Sequence, residues 1–128
     1  MKFVTGGAWQ GKKRWVLSAM EGIQSFADGR DSSYEEAESR QAVLAFHEYI
    51  LRMVQEGREE DEIIGFTAGI IEKNPDVVII MDEIGYGIVP QDAQERRYRE
   101  AAGRTGQFLA ARAEEVYRVV AGIGQRIK

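Results

Sequence analysis

At 128 residues, 44% of them hydrophobic and 30% charged, the chain has the length of one globular domain and enough apolar side chains for a sizeable core. Seventeen Lys plus Arg against 21 Asp plus Glu give a net charge of −4, a weakly acidic field that argues against nucleic acid as a partner. The lack of cysteine excludes disulfides, thiolate catalysis and cysteine-ligated zinc or iron–sulfur centres, and a single histidine leaves little for any other metal site.

Met1-Lys2-Phe3-Val4-Thr5 enters glycines without the apolar stretch of a secretion signal, and no run near about 18 apolar residues follows, so a soluble cytoplasmic protein with no membrane partner is expected. Lys2 to Thr5 predicts a first strand, Gly6-Gly7-Ala8-Trp9-Gln10-Gly11-Lys12 a glycine loop, and Lys13 to Met20 a helix. Gly22 to Ala27 suits a short second strand, and Asp28 to Ser33 a loop whose last serine caps a helix starting near Tyr34. From Tyr34 to Gln55, Val43, Phe46, Ile50 and Val54 recur at helical spacing and predict one amphipathic helix, stopped at Gly57. Glu59 to Lys73 predicts another, ended by Asn74-Pro75-Asp76. Val77-Val78-Ile79-Ile80-Met81 reads as a strand buried on both faces of a parallel sheet, with Asp82-Glu83 at its carboxyl end. Gln91 to Arg112 follows as a long polar helix, Glu115 to Ala121 as a last strand, and Gly122 turns the chain into a tail, Ile123 to Lys128. The alternation predicts a single α/β domain over residues 1–128 with a mostly parallel sheet.

Two short features carry chemistry. Gly6-x4-Gly11-Lys12 has the spacing of a phosphate-binding loop, in which backbone N–H groups and a helix N-terminus surround an anion while the lysine reaches the terminal phosphates. Lys13 stands where the pattern wants a Ser or Thr hydroxyl for Mg²⁺, and an ammonium cannot ligate a cation. Read alone, the loop is also compatible with a plain turn joining strand to helix. Asp82-Glu83 suits the second half of such a site, one acid orienting Mg²⁺ or its water and its neighbour serving as base, or else a solvated strand end. Together the two features fall at the carboxyl ends of parallel strands, where open α/β sheets bind ligands.

Glu83-Ile84-Gly85-Tyr86-Gly87-Ile88-Val89-Pro90, continuing through Arg96-Arg97-Tyr98-Arg99-Glu100-Ala101-Ala102-Gly103-Arg104, Gln107-Phe108-Leu109-Ala110 and Ala113-Glu114-Glu115-Val116 to Val120-Ala121-Gly122-Ile123, resembles the C-terminal half of the adenosylcobinamide kinase / adenosylcobinamide-phosphate guanylyltransferase family. Thr5-Gly6-Gly7-Ala8-x-x-Gly11-Lys12 resembles the phosphate loop of the same family. The resemblance implies a P-loop NTPase-like three-layer sandwich, often oligomeric, that phosphorylates a cobinamide hydroxyl from ATP or GTP. It implies nucleotide binding by Gly6, Gly7, Ala8, Trp9, Gln10, Gly11, Lys12 and Lys13, catalytic roles for Lys12 and Glu83, and Mg²⁺ at Asp82 and Glu83. The chain departs from the family pattern at Lys13, at Asp82 in place of Asn, and at Gly106 in place of Asn. It is also shorter in the middle, without the His-Arg-x-x-Arg-Pro segment that carries the guanylylated histidine, so loss of guanylyl transfer is expected.

Other residues remain open at this level. His47, three and four residues from Ile50 and Val43, suits a satisfied core histidine, with a phosphoryl or guanylyl acceptor and an interface contact as alternatives. Trp9 and Trp15 suit stacking on a base or corrin edge, or packing, the latter favoured for Trp15. Arg96, Arg97, Arg99 and Arg104 suit phosphate or subunit contacts, or a solvated face balanced by acids. The preferred reading is a shortened cobinamide-kinase-like protein that binds a purine nucleoside triphosphate. The alternatives are a non-catalytic nucleotide sensor or scaffold with the same fold, and a P-loop NTPase with another substrate.

Overall fold

A computed structural model describes residues 1–84 and 92–128. Six strands and five helices follow in the order β1 (Lys2–Gly6), α1 (Lys12–Ala19), β2 (Phe26–Asp28), α2 (Tyr34–Ser39), β3 (Ala42–Leu44), α3 (Phe46–Gln55), α4 (Glu60–Lys73), β4 (Val78–Asp82), α5 (Ala93–Arg112), β5 (Glu115–Val120) and β6 (Ile123–Arg126). They build one sheet in the order β2-β3-β4-β1-β5-β6, parallel throughout except for the antiparallel β5–β6 pair. The first strand is therefore central, flanked by β4 in the register Lys2–Val78 to Gly6–Asp82 and by β5 from Lys2–Glu115 to Thr5–Arg118.

The pleat divides the core in two. Phe3, Ile79 and Met81 point to one face, where Phe46, Tyr49, Ile50 and Met53 of α3, Ile63 and Ile70 of α4, and Ala101, Ala102 and Leu109 of α5 pack on them. Val4, Val78 and Ile80 point to the other, against Val16 of α1 and Val119. With helices on both faces this is the expected three-layer α/β sandwich, and the unbroken apolar run of β4 is that of a strand covered on both sides. Ser33 caps α2 by accepting from the Glu36 amide, and α4 opens with a capping box between Glu59 and Glu62.

Two expectations are corrected. The single helix predicted from Tyr34 to Gln55 is interrupted by β3: α2 ends at Ser39, Ala42–Leu44 pairs with both β2 and β4, and Ala45 at φ 49° turns the chain into α3. A helix through Val43 would leave the edge of β4 and the whole of β2 unpaired, so sheet pairing overrides the local helical spacing. The tail after Gly122 is not a tail but β6. Ala121 and Gly122, at φ 50° and 77°, form a two-residue turn of the primed kind that suits a twisted hairpin. The predicted helix start at Gln91 and the segment Gly85 to Pro90 lie outside the described residues, and α5 is described from Ala93.

Gly6 has φ 152°, and a Cβ there would run into the Val119 carbonyl of the neighbouring strand. Gly6→Ala is accordingly expected to lower the melting temperature by pushing β5 away from β1. Gly65→Ala, in α4 with open space around it, should raise stability by roughly 0.5–1 kcal/mol through helix propensity. Thermal unfolding of the two variants beside the parent checks both signs.

Candidate functional site

The loop between β1 and α1 is tied down from several sides. Gly6 accepts from the Glu83 amide at 2.9 Å. Gln10 accepts from the Ala121 amide through its side chain at 2.6 Å and from the Gly122 amide through its carbonyl at 2.8 Å, so the β5–β6 turn braces the loop. Gly11, left-handed at φ 85°, sets the start of α1. A loop with two left-handed residues, Trp9 and Gly11, turns tightly into a helix N-terminus, the arrangement that suits an anion.

Lys12, the first residue of α1, is buried to 7% exposure. Its ammonium donates to the Gly7 carbonyl at 2.6 Å and pairs with Asp82 Oδ1 at 2.7 Å. An ammonium this far from water needs such partners, since an unpaired buried charge costs several kcal/mol or more. His47, at the start of α3, is buried beside them. Its Nδ1 accepts from the Asp82 amide at 3.1 Å, while Nε2 lies 3.5 Å from Asp82 Oδ2 and 3.7 Å from Glu48 Oε1. Burial lowers the histidine pKa, against the opposing pull of the Asp82 and Glu48 carboxylates. All of these side chains line one cavity of about 470 Å³ over the carboxyl ends of the central strands.

The structure brings Ala8, Trp9, Gln10, Gly11, Lys12, Lys13 and Asp82 together around that cavity. Lys13 sits at its rim with its ammonium over the Phe26 ring, 5.4 Å from the centroid, aside from the Lys12–Asp82 pair. Trp9 is 98% exposed, whereas Trp15 is a packing anchor, 4.9 Å from the Tyr117 ring and against Gly124. Glu83 is not brought to Lys12: strand alternation turns it away, and Arg118 holds it at 2.7 and 3.3 Å. Together with Asp82 and Gly106 it lines a second cavity, of about 400 Å³, between the ends of β1 and β4 and helix α5. Of the five arginines on α5, Arg104 is bound by Glu60 at 2.6 Å and Arg99 by Glu95 at 3.0 Å, and none of the five lines the Lys12 cavity. Sequence reasoning missed Arg30 and Glu48 as cavity residues. Ending the second strand at Asp28 would have placed Arg30 in the first loop beyond a parallel strand, where ligand contacts gather.

Magnesium, implied by the family resemblance, finds a poor set of ligands. Among the described residues no three acidic or histidine side chains converge as a metal site. Asp82 already faces an ammonium, Glu83 faces Arg118, and position 13 offers a cation in place of a hydroxyl. These residues do not fit a metal held by the protein itself. No helix among the described residues is long and apolar enough to cross a membrane.

Residues 41–127 match the family model described as cobinamide kinase / cobinamide phosphate guanyltransferase. The chain is 45% identical over 69 residues to the bifunctional adenosylcobalamin biosynthesis protein CobU of Salmonella typhimurium, covering 54% of this chain and 38% of that one. It is 52% identical over 52 residues to the protein of the same name from Escherichia coli, covering 41% of this chain and 29% of that one. The chain thus spans well under half the length of either relative, and the Gly6 to Lys13 loop precedes the segment matched by the family model. A match over more than half of its residues, on a three-layer α/β fold, makes this chain a member of the cobinamide kinase / cobinamide phosphate guanyltransferase family.

Proposed function

We propose that the chain binds a purine nucleoside triphosphate, ATP or GTP, over the Gly6 to Lys13 loop and transfers its terminal phosphoryl group to a hydroxyl of cobinamide, without a guanylyl-transfer step. The observation that carries this reading is the Lys12–Asp82 pair: a loop lysine and a strand-end carboxylate 2.7 Å apart, in a cavity at the carboxyl ends of parallel strands. A cavity of about 470 Å³ is of the size that small-molecule ligands occupy, roughly 300–1,000 Å³. An arriving phosphate competes with Asp82 for Lys12, and the loop amides and the N-terminus of α1 add to the attraction.

Once Lys12 has moved to the phosphates, Asp82 is free to accept a proton. The acceptor oxygen then forms a bond to the terminal phosphorus, its proton passes to the Asp82 carboxylate, the bond from that phosphorus to the bridging oxygen breaks, and a nucleoside diphosphate leaves. Asp82 borders both cavities, and in this reading the triphosphate occupies the first while the acceptor approaches Asp82 from the second. Cobinamide as acceptor rests on the family and on the adenosylcobalamin biosynthesis named for both relatives. The site is proposed to work in the cytoplasm, in an assembly of identical chains. A non-catalytic nucleotide sensor is the second reading, favoured by one observation: the site offers a cation, Lys13, where a metal-dependent kinase offers a hydroxyl.

Three outcomes are expected. Lys12→Ala should weaken ATP or GTP binding by about 2–3 kcal/mol, the scale of a charge-assisted contact, followed by the fluorescence of Trp9 at the cavity rim; unchanged affinity removes the phosphate-loop reading. Triphosphate binding should persist in EDTA and be weakened by Lys13→Ala, while Lys13→Ser should make binding depend more on Mg²⁺ and raise turnover; brisk transfer by the parent that strictly requires Mg²⁺ would make Lys13 a bystander. Incubation with labelled GTP should leave no covalent guanylyl group, and a stable label on His47 would contradict the lost transfer step.

A further inference from the structure

Phosphate binding gives no role to His47, although it lines the same cavity and is only 5% exposed. Its position follows from the sheet. Strand β3 pairs with β4 only through Ala42–Val78 and Val43–Ile79 and then turns into α3, whereas β4 continues to Asp82. The Asp82 amide on that edge has no strand beside it, and His47 Nδ1 supplies the missing acceptor at 3.1 Å. With Nδ1 accepting, the neutral ring carries its hydrogen on Nε2, which lies 3.5 Å from Asp82 Oδ2. One imidazole thus touches the backbone of Asp82 and faces its carboxylate, while Lys12 holds the other carboxylate oxygen.

We infer that His47 is the positioning residue of Asp82: when a bound triphosphate draws Lys12 away, the Nε2–H of His47 keeps the carboxylate aimed at the acceptor hydroxyl. The inference rests on the phosphoryl-transfer reading above. The present 3.5 Å separation is long for a hydrogen bond, and a small rotation of the carboxylate closes it after Lys12 has released Oδ1. The same geometry disfavours His47 as a nucleophile, because the lone pair of Nδ1 is engaged and Nε2 bears the hydrogen.

Two substitutions separate positioning from structure. In His47→Asn the side-chain oxygen falls near the place of Nδ1 and still accepts from the Asp82 amide, but nothing reaches the carboxylate. In His47→Gln the amide end falls near Nε2 and can donate to the carboxylate, but the acceptor for the backbone is lost. His47→Asn is expected to keep the melting temperature and the ATP affinity within twofold while kcat for cobinamide phosphorylation drops at least tenfold. His47→Gln should regain most of that turnover despite lower thermal stability. Turnover that follows stability in both variants, or an unchanged kcat in His47→Asn, overturns the inference and leaves the triphosphate reading standing. Failure of the parent to bind ATP or GTP, or binding without transfer, overturns the proposed transfer and this inference together. A long-range proton–nitrogen NMR correlation of the imidazole in the parent protein should show the hydrogen on Nε2, and a hydrogen on Nδ1 also overturns it.

Discussion

The ion pair between Lys12 and Asp82 joins the first turn of α1 to the last residue of β4, and most of the site depends on it. An ammonium with so little access to water must be matched by a carboxylate and a carbonyl, and both are supplied within 2.7 Å. The match follows from register: β1 lies beside β4 with Gly6 opposite Asp82, so the residue that ends one strand faces the loop that leaves the other. Any phosphate in the cavity has to compete with this pair, so the nucleotide binding proposed above would be an exchange of anions around one cation.

The charges around the cavity show how the site differs from a metal-dependent one. Lys12 and Lys13 approach from α1, while Asp82, Glu48 and His47 approach from β4 and α3. With an ammonium at position 13 the protein supplies positive charge of its own, and Lys13 rests against Phe26 with room left beside Lys12. Glu83, which sequence alone groups with Asp82, belongs to the other side of the sheet end and is held by Arg118. Adjacent residues on a strand point to opposite faces, so an acidic pair at a strand end seldom serves a single site as a pair.

The family match begins at residue 41, yet the phosphate-type loop lies near the N-terminus. The sheet explains how the two belong together. Strand β1 is inserted between β4 and β5, both within the matched segment, and the loop that follows is braced by Gln10 against the β5–β6 turn. The N-terminal segment is therefore part of the core, with Phe3 packed on one face of the sheet and Val4 on the other. The elements between β2 and α3 are short, α2 and β3, and β3 lies on the side of the sheet away from β5, between the edge strand β2 and β4.

Much of this was legible in the amino-acid sequence. The apolar run Val77 to Met81, the glycine loop before Lys12, the capping serine at Ser33 and the helix from Glu59 to Lys73 each carry a local signal strong enough to stand alone, because backbone propensity, capping and breaking residues agree there. Where local and long-range demands conflict, the sequence misled. Ala42–Leu44 sits within an acceptable helical pattern and becomes a strand only because β2 and β4 need a partner between them. Ile123–Arg126 lacks the residues of a strong strand and forms one only because the Ala121-Gly122 turn folds it back on β5. The site divides in the same way. Lys12 and Asp82 were found from spacing and strand position, but His47 was read in the middle of one long helix, whereas it opens α3 directly after β3, and its hydrogen-bond partner is 35 positions away. Sequence by itself determined the elements whose stability is local, together with the residues of the loop. Tertiary structure alone decided which strands are adjacent, which acid faces Lys12 and what the histidine holds, because strand pairing and the match of a buried charge are settled between segments far apart in the chain.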